Sequence, residues 1–405
     1  MSDQTAQTLE AKRRRPGVAV LGGVSFAAIA KFAVAAAIVG AIAYIAFEHS
    51  TRWHRFHLLV IAFITATYLA VLLRGRFRDA MAVTASLLFC LAAAEPYCVD
   101  RFITSVDINT PGHNGPRPIL GWGPIRPGVI HNTKLDTATG RVIWDRDYTI
   151  DAHLRRQVVS PLDGPAVVFT GGSDTFGTGL PDAETLPQIF ADLTDRRMRV
   201  VNLGFPGYGP QQTLRGLETG LFDDALKDGR LLVIETTPWQ VSRTSCTLDY
   251  MGAAPHYEVE NGQPTFLGPC KDSWSLAWRA FSAISSIPHF FVIRAEQQPR
   301  PEAIDLYLAI ILRSAAIARE KFGVPTVVLY QPGEDFLKPT GYSDVQLAQR
   351  LRVAGLGVVD GRLNPADFPG QDLEIPGEGH PTGVTNRAWA TRLKEYFDSS
   401  IAPAR

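Results

Sequence analysis

The chain has no excess of either charge: 40 lysines and arginines stand against 40 aspartates and glutamates. Nucleic-acid binding needs a basic surface to neutralise phosphates, so no nucleic-acid partner is expected. Cysteine is scarce, with four residues in 405. None of them has the spacing of a zinc site, so neither a metal nor a cofactor is expected. A cleaved leader is also not expected, because the first apolar stretch is too long and a second follows it.

What the sequence does hold is apolar residues, and their excess sits before residue 98. Three runs stand there: Val24–Phe47, interrupted by Lys31, then His57–Leu73 and Ala80–Ala94. A spanning helix needs about 20 mainly apolar residues. The first run is long enough, with Lys31 reaching toward an interface. The second qualifies with Trp53 and Phe56 as interface anchors. The third is short unless it borrows Phe77 and Tyr97. Lys12, Arg13, Arg14 and Arg15 precede the first run, and Arg74, Arg76 and Arg78 separate the second from the third. The positive-inside rule then puts these segments in the cytoplasm. Three spans leave everything after Glu95 outside, so a bacterial inner-membrane anchor with a periplasmic domain is expected. Cys90 falls in the third span. Cys246 and Cys270 bracket an insertion on the outer side, where a bridge and free thiols are both open.

The remainder divides in two. Residues 99–164 are rich in proline, glycine and polar residues and read as an extended linker or edge region, with a strand or hairpin over Gly140–Asp151. From residue 165 to 400 short buried strands alternate with helices. Ala166–Thr170, Arg199–Leu203, Leu231–Thr236, Pro325–Tyr330 and Gly357–Asp360 read as strands. Leu186–Leu193, Ala303–Phe322, Tyr342–Ala354 and Val384–Phe397 read as helices. This pattern predicts an α/β fold: a parallel sheet of about five strands with helices on both faces. Residues 238–300 interrupt it, and their aromatic stretch Trp274–Val292 reads as a core helix, a flap or a membrane-facing surface. Ligands of such sheets bind at the carboxyl ends of strands, and three motifs fall there. Gly171–Gly177 (GGSDTFG) follows the first strand and exposes Ser173 with its backbone amides. Asn202–Gln212 (NLGFPGYGPQQ) follows the second. Pro376–Thr382 (PGEGHPT) fixes His380 on a turn, two residues after Glu378. A loop histidine without such a frame, such as His153, His256 or His289, reads as structural or exposed, and Trp389 and Phe397 read as core.

Together the three motifs resemble the SGNH (GDSL-like) hydrolase superfamily over roughly residues 165–400, and in particular its membrane-anchored bacterial branch. That family opens with Gly-Asp-Ser-x-Thr-x-Gly, adds a glycine after its second strand, and places a histidine before its last helix. The resemblance implies a flavodoxin-like sheet with Ser173 as nucleophile, His380 as general base and Glu378 as the third member, with Asp372 and Glu374 in reserve. Gly204, Gly207 or Gly209 would lend an oxyanion amide beside that of Ser173. Two departures stand out near the serine. Gly172 replaces the aspartate of the first block. The usual Gly-x-Asn-Asp block is absent, and the third strand ends in Glu235–Thr244 (ETTPWQVSRT). Its asparagine is normally an oxyanion donor, worth about 3 kcal/mol. Asn202, Gln211, Gln212 and Gln240 are candidates to replace it, and Arg243 is a candidate to bind an anionic or sugar group. The resemblance implies a membrane-anchored serine esterase acting on O-acyl groups of envelope or extracellular glycans or lipids. The alternatives are an O-acyltransferase using the same acyl-enzyme and a degenerate domain that binds a glycan or a partner without catalysis.

Overall fold

A computed structural model describes residues 53–102, 105–273 and 299–401 throughout, with scattered residues between 20 and 41 and between 277 and 288. The chain divides into two compact units, Met1–Ala93 and Ala94–Arg405. The first apolar run, Val24–Phe47, falls mostly outside the described residues. The other two form helices α1 (His54–Leu72) and α2 (Arg76–Phe102). Both are long and apolar enough to cross a bilayer. The third run, short by its sequence, is extended by the helix at both ends and runs through Pro96. Within the first unit Phe63 and Phe89 bring their rings to 5.6 Å. Thr65, Thr67, Thr84 and Ser86 each donate a hydroxyl to the carbonyl four residues earlier. That local bond satisfies the hydroxyl within its own helix.

The second unit begins with strands where the sequence suggested an extended edge. Strands β1 (Ser105–Asn109), β2 (Asn114–Arg117), β3 (Gly121–Pro124), β4 (Gly128–Asp136) and β5 (Val142–Ile150) precede the α/β part. β1, β4 and β5 form an antiparallel sheet with β4 in the middle, and β2 pairs with β3. Proline and glycine stand at turns between these strands, as at Pro111–Gly112 and at Gly140.

The α/β part is a five-stranded parallel sheet. Its strands are β6 (Ala166–Thr170), β7 (Arg199–Asn202), β8 (Gly229–Thr236), β11 (Thr326–Tyr330) and β12 (Gly357–Asp360). A separate hairpin, β9 (Pro255–Glu260) with β10 (Gln263–Pro269), accounts for the numbers between. The spatial order is β12–β11–β8–β6–β7, all parallel. This is the flavodoxin-like order, whose switch point lies between β6 and β8. The strands alternate their side chains between two cores. Val168, Leu232, Ile234 and Val328 face α5 (Pro210–Glu218), α6 (Pro301–Phe322) and α7 (Asp344–Val353). Val167, Phe169, Val233 and Leu329 face α4 (Leu186–Leu193) and α8 (Gly383–Ser400), where Trp389 and Phe397 are buried. In the insertion Cys246 and Cys270 are bridged, with their Cα atoms 5.3 Å apart, which settles the open choice for that pair. Most of Trp274–Val292 lies outside the described residues.

Candidate active site

The chain leaves β6 through Gly171 and Gly172 and enters the single turn α3 (Ser173–Phe176), so Ser173 sits at the carboxyl end of the strand beside the switch point. Glycine is required at the bend, because a Cβ on Gly171 would collide with Thr175 Oγ1 and Glu235 Oε2. Two strand ends grip this turn. Glu235, buried near the end of β8, accepts from the Gly172 N–H at 3.1 Å and from the Thr175 hydroxyl at 3.0 Å. Gln331 Nε2 donates to the other Glu235 oxygen and to Asp174 Oδ2, both at 2.9 Å. Burial pushes the Glu235 carboxyl well above the usual range, and the neighbouring Asp174 charge pushes the same way. From the other side, Asn202 at the end of β7 donates to Thr175 O at 2.9 Å.

His380 is set by a different construction. The Ile375–His380 turn closes on itself: Ile375 N–H donates to His380 O at 2.7 Å, and Glu378 N–H to Ile375 O at 3.0 Å. Gly377 (φ 81°) and Gly379 (φ 98°) take the left-handed backbone this turn needs. Glu378 Oε2 accepts from His380 Nδ1 at 2.5 Å and from the His380 backbone N–H at 3.1 Å. Its second oxygen accepts from Lys134 Nζ at 2.8 Å. Lys134 comes from β4, and its side chain is 11% exposed, so the pair is shielded from water. The ammonium stands 4.8 Å over the Trp144 ring, and that ring meets His380 edge-on at 6.2 Å. Burial works to raise the Glu378 carboxyl, but the bonds and charges of His380 and Lys134 outweigh it and hold the group down at about 2. An ionised Glu378 accepts at Nδ1, which assigns the ring proton there and leaves Nε2 as the basic nitrogen.

Ser173 and His380 line the same two cavities, of about 480 and 960 Å³. Among the described residues no hydrogen bond yet joins the serine Oγ to the imidazole; such bonds commonly tighten only when substrate is present. The smaller cavity has Trp122, Gly207 and Tyr250 on one side and Asp107, Asn109 and Asn114 among its other lining residues. The larger is lined by Trp239, Gln331, Arg362 and the 371–381 loop, which includes Asp372 and Glu374. Arg243 lines both.

Several residues singled out around the serine have other tasks. The Gly204 N–H donates to Asn202 Oδ1 at 3.0 Å, and Asn202 is itself buried. The Gly209 N–H donates to Gln212 Oε1 at 2.9 Å, which caps α5. Gln211 is buried and donates to the Arg243 carbonyl at 2.9 Å. Gln240 is buried and accepts from Thr236. These groups bond within the loops, and none of them is among the lining residues of the two cavities that Ser173 lines. Gly207 differs: it lies at φ 83°, lines the smaller cavity, and among the described residues its N–H meets no protein acceptor. Asp372 and Glu374 make no bond to His380; Glu378 does. Lys134, Trp144 and Glu235 went unrecognised in the sequence. The alternation around Trp144 signalled a strand, but nothing local says that its sheet backs a histidine more than 200 residues later.

No protein-family model matches the chain. No curated protein matches it either. Similar solved structures include a lipolytic protein of the G-D-S-L family from Veillonella parvula DSM 2008, at 14% identity and TM-score 0.36, covering 58% of this chain and 100% of that one. A lipase from a goat rumen metagenome is similar at 11% identity and TM-score 0.37, covering 58% of this chain and 99% of that one. A psychrotrophic esterase from Pseudoalteromonas sp. is similar at 12% identity and TM-score 0.33, covering 57% and 96%.

Proposed function

We propose that the chain is a serine ester hydrolase of SGNH type, with Ser173 as nucleophile, His380 as general base and Glu378 as the carboxylate that orients it. The observation that carries this reading is that Ser173 shares its cavities with an imidazole whose Nδ1 is bonded to an ionised, shielded carboxylate. Ser173 Oγ attacks an ester carbonyl while His380 Nε2 takes its proton. The alcohol leaves with that proton, and water repeats the cycle on the acyl-enzyme. The N–H groups of Ser173 and Gly207 are the oxyanion donors. Lys134 is a positioning residue that keeps Glu378 charged.

For substrate, O-acyl groups on a glycan suit the smaller cavity. A sugar offers a C–H face to aromatic rings such as Trp122 and Tyr250, and hydroxyls to carboxylate and amide groups such as Asp107, Asn109 and Asn114. The apolar helices and the basic residues at 12–15 and 74–78 support a membrane-anchored chain. The Cys246–Cys270 bridge supports an oxidising, extracytoplasmic location for the domain. A second reading, O-acyl transfer, is favoured by one observation: two cavities open on the same serine, one for a donor and one for an acceptor. Full-length protein in detergent is to be assayed on an aryl acetate beside Ser173→Ala. Hydrolysis lost in the variant supports the reading, and acceleration by a sugar acceptor selects transfer. Equal rates in both proteins sink the serine mechanism and leave a binding domain.

A further inference from the structure

Arg243 touches both the loop that carries Gly207 and the turn that carries Ser173. Its Nη1 donates to the carbonyl of Tyr208 at 2.5 Å, one residue after Gly207. The same nitrogen lies 2.9 Å from where a Cβ on Gly172 would stand, one residue before Ser173. The guanidinium therefore lies against the residues next to Gly207 and Ser173, and it lines the cavities that Ser173 lines. It is held there by its own segment: Val241 and Thr244 of the helical turn Val241–Thr244 are buried, and the Gln211 amide holds the Arg243 carbonyl. Gly209 admits the stem, since its Cβ position is 3.2 Å from the Arg243 Cβ. Among the described residues no carboxylate forms a salt bridge with this guanidinium; its charge acts on the buried Glu235, and it lines both cavities. A side chain at position 172 would press on the Arg243 Nη1, so the glycine there and the arginine head share one space.

We propose that Arg243 is a catalytic residue: its guanidinium donates to the oxyanion that forms when Ser173 attacks an ester carbonyl, beside the N–H groups of Ser173 and Gly207. This rests on the ester-hydrolase reading above. In the step, Ser173 Oγ bonds to the carbonyl carbon and its proton passes to His380 Nε2. The carbonyl π pair moves onto oxygen, where Arg243 meets it. On collapse the pair returns, the C–O bond to the alcohol breaks, and His380 gives its proton to the leaving oxygen. Arg243 donates hydrogen bonds only and takes no part in the proton transfer. A charged donor forms a stronger bond to an oxyanion than a neutral amide does.

The test uses full-length protein in detergent and an uncharged aryl acetate. Arg243→Ala is expected to lower kcat by about 10²–10³-fold with KM little changed. Added guanidinium ion is expected to restore part of that rate, and to restore none in Ser173→Ala. Gly172→Asp is expected to lose a similar factor by displacing or neutralising the guanidinium, and Arg243→Ala is expected to add little on top of it. Circular dichroism and thermal unfolding check that each variant is folded, and guanidinium rescue is a readout that a structural role would not give. If Arg243→Ala keeps its kcat on the neutral ester and loses only affinity for esters bearing a carboxylate, Arg243 binds a substrate anion and the proposal is overturned. A dead Ser173→Ala beside an unimpaired Arg243→Ala overturns the arginine alone. Equal wild-type and Ser173→Ala rates overturn the hydrolase reading and the arginine with it.

Discussion

The serine and the histidine are held by two different kinds of structure. Ser173 is supported by the sheet it grows from, since Glu235 and Asn202 end neighbouring strands and are buried in the core. His380 is supported from outside that sheet, by Lys134 and Trp144 of the antiparallel strands. In the first case the groups that place the reactive atom also satisfy buried donors of the fold, so loss of one costs stability and activity together. In the second, an ion pair at the edge of the site sets protonation and orientation, so its loss costs activity first.

The sharpest way to break that contrast is Glu378→Gln. The Lys134 ammonium is the stronger donor and draws the new carbonyl oxygen, turning the amide NH₂ toward His380 Nδ1. The ring then carries its proton on Nε2, the wrong tautomer for a base. A loss of roughly 10³–10⁴ in kcat is expected, with a far smaller change in the urea midpoint. Adding Lys134→Met frees the glutamine to turn its oxygen to the ring, so the double variant should be faster than Glu378→Gln alone. Rates for the single and double variants on an aryl acetate decide it, and a slower double variant would falsify the orienting role of Lys134.

Glu235→Ala tests the other side. It removes the acceptor of the Gly172 N–H and the Thr175 hydroxyl, both buried, while the Gln331 amide keeps Asp174. Each buried donor left without a partner costs about 1–3 kcal/mol, so a loss of about 3 kcal/mol or more is expected in urea unfolding. Activity should fall with it because Gly172 sets the direction of Ser173. A stable but inactive Glu235→Ala would show that the two supports are not different in kind.

This difference also explains what could be read from the sequence. The five strands of the parallel sheet, and the Leu186–Leu193 helix with its limits, were legible because short buried runs bounded by glycine and proline carry a local signal. So were Ser173, His380 and Glu378 as candidates, since each lies within a compact motif. Gly204, Gly209 and the Gln211–Gln212 pair could not be separated from Gly207 on sequence. What distinguishes them is which N–H already has an acceptor, and that depends on the Gln212 cap and on the Asn202 side chain. Lys134 was beyond reach for the same reason: its partner Glu378 is 244 positions away, and no periodicity connects a strand to a distant turn.

The smallest effect expected belongs to Lys134→Met alone, and its pH dependence carries the information. Glu378 sits at about 2 in the folded protein, below its ordinary value of 4.5. A carboxylate with a lowered folded value stabilises the protein fully above its unfolded value, and that contribution is lost as pH falls toward the folded one. Lys134 supplies part of the lowering. Lys134→Met should therefore cost about 1 kcal/mol near neutral pH, well below the loss expected for Glu235→Ala. Between about pH 4.5 and 2 the gap to wild type should narrow, because protonating Glu378 removes the partner that Lys134 holds. Urea unfolding at a series of pH values measures that gap directly. A gap that stays constant down to pH 2 would mean that Lys134 acts through packing on Trp144, and the histidine side would then resemble the serine side after all.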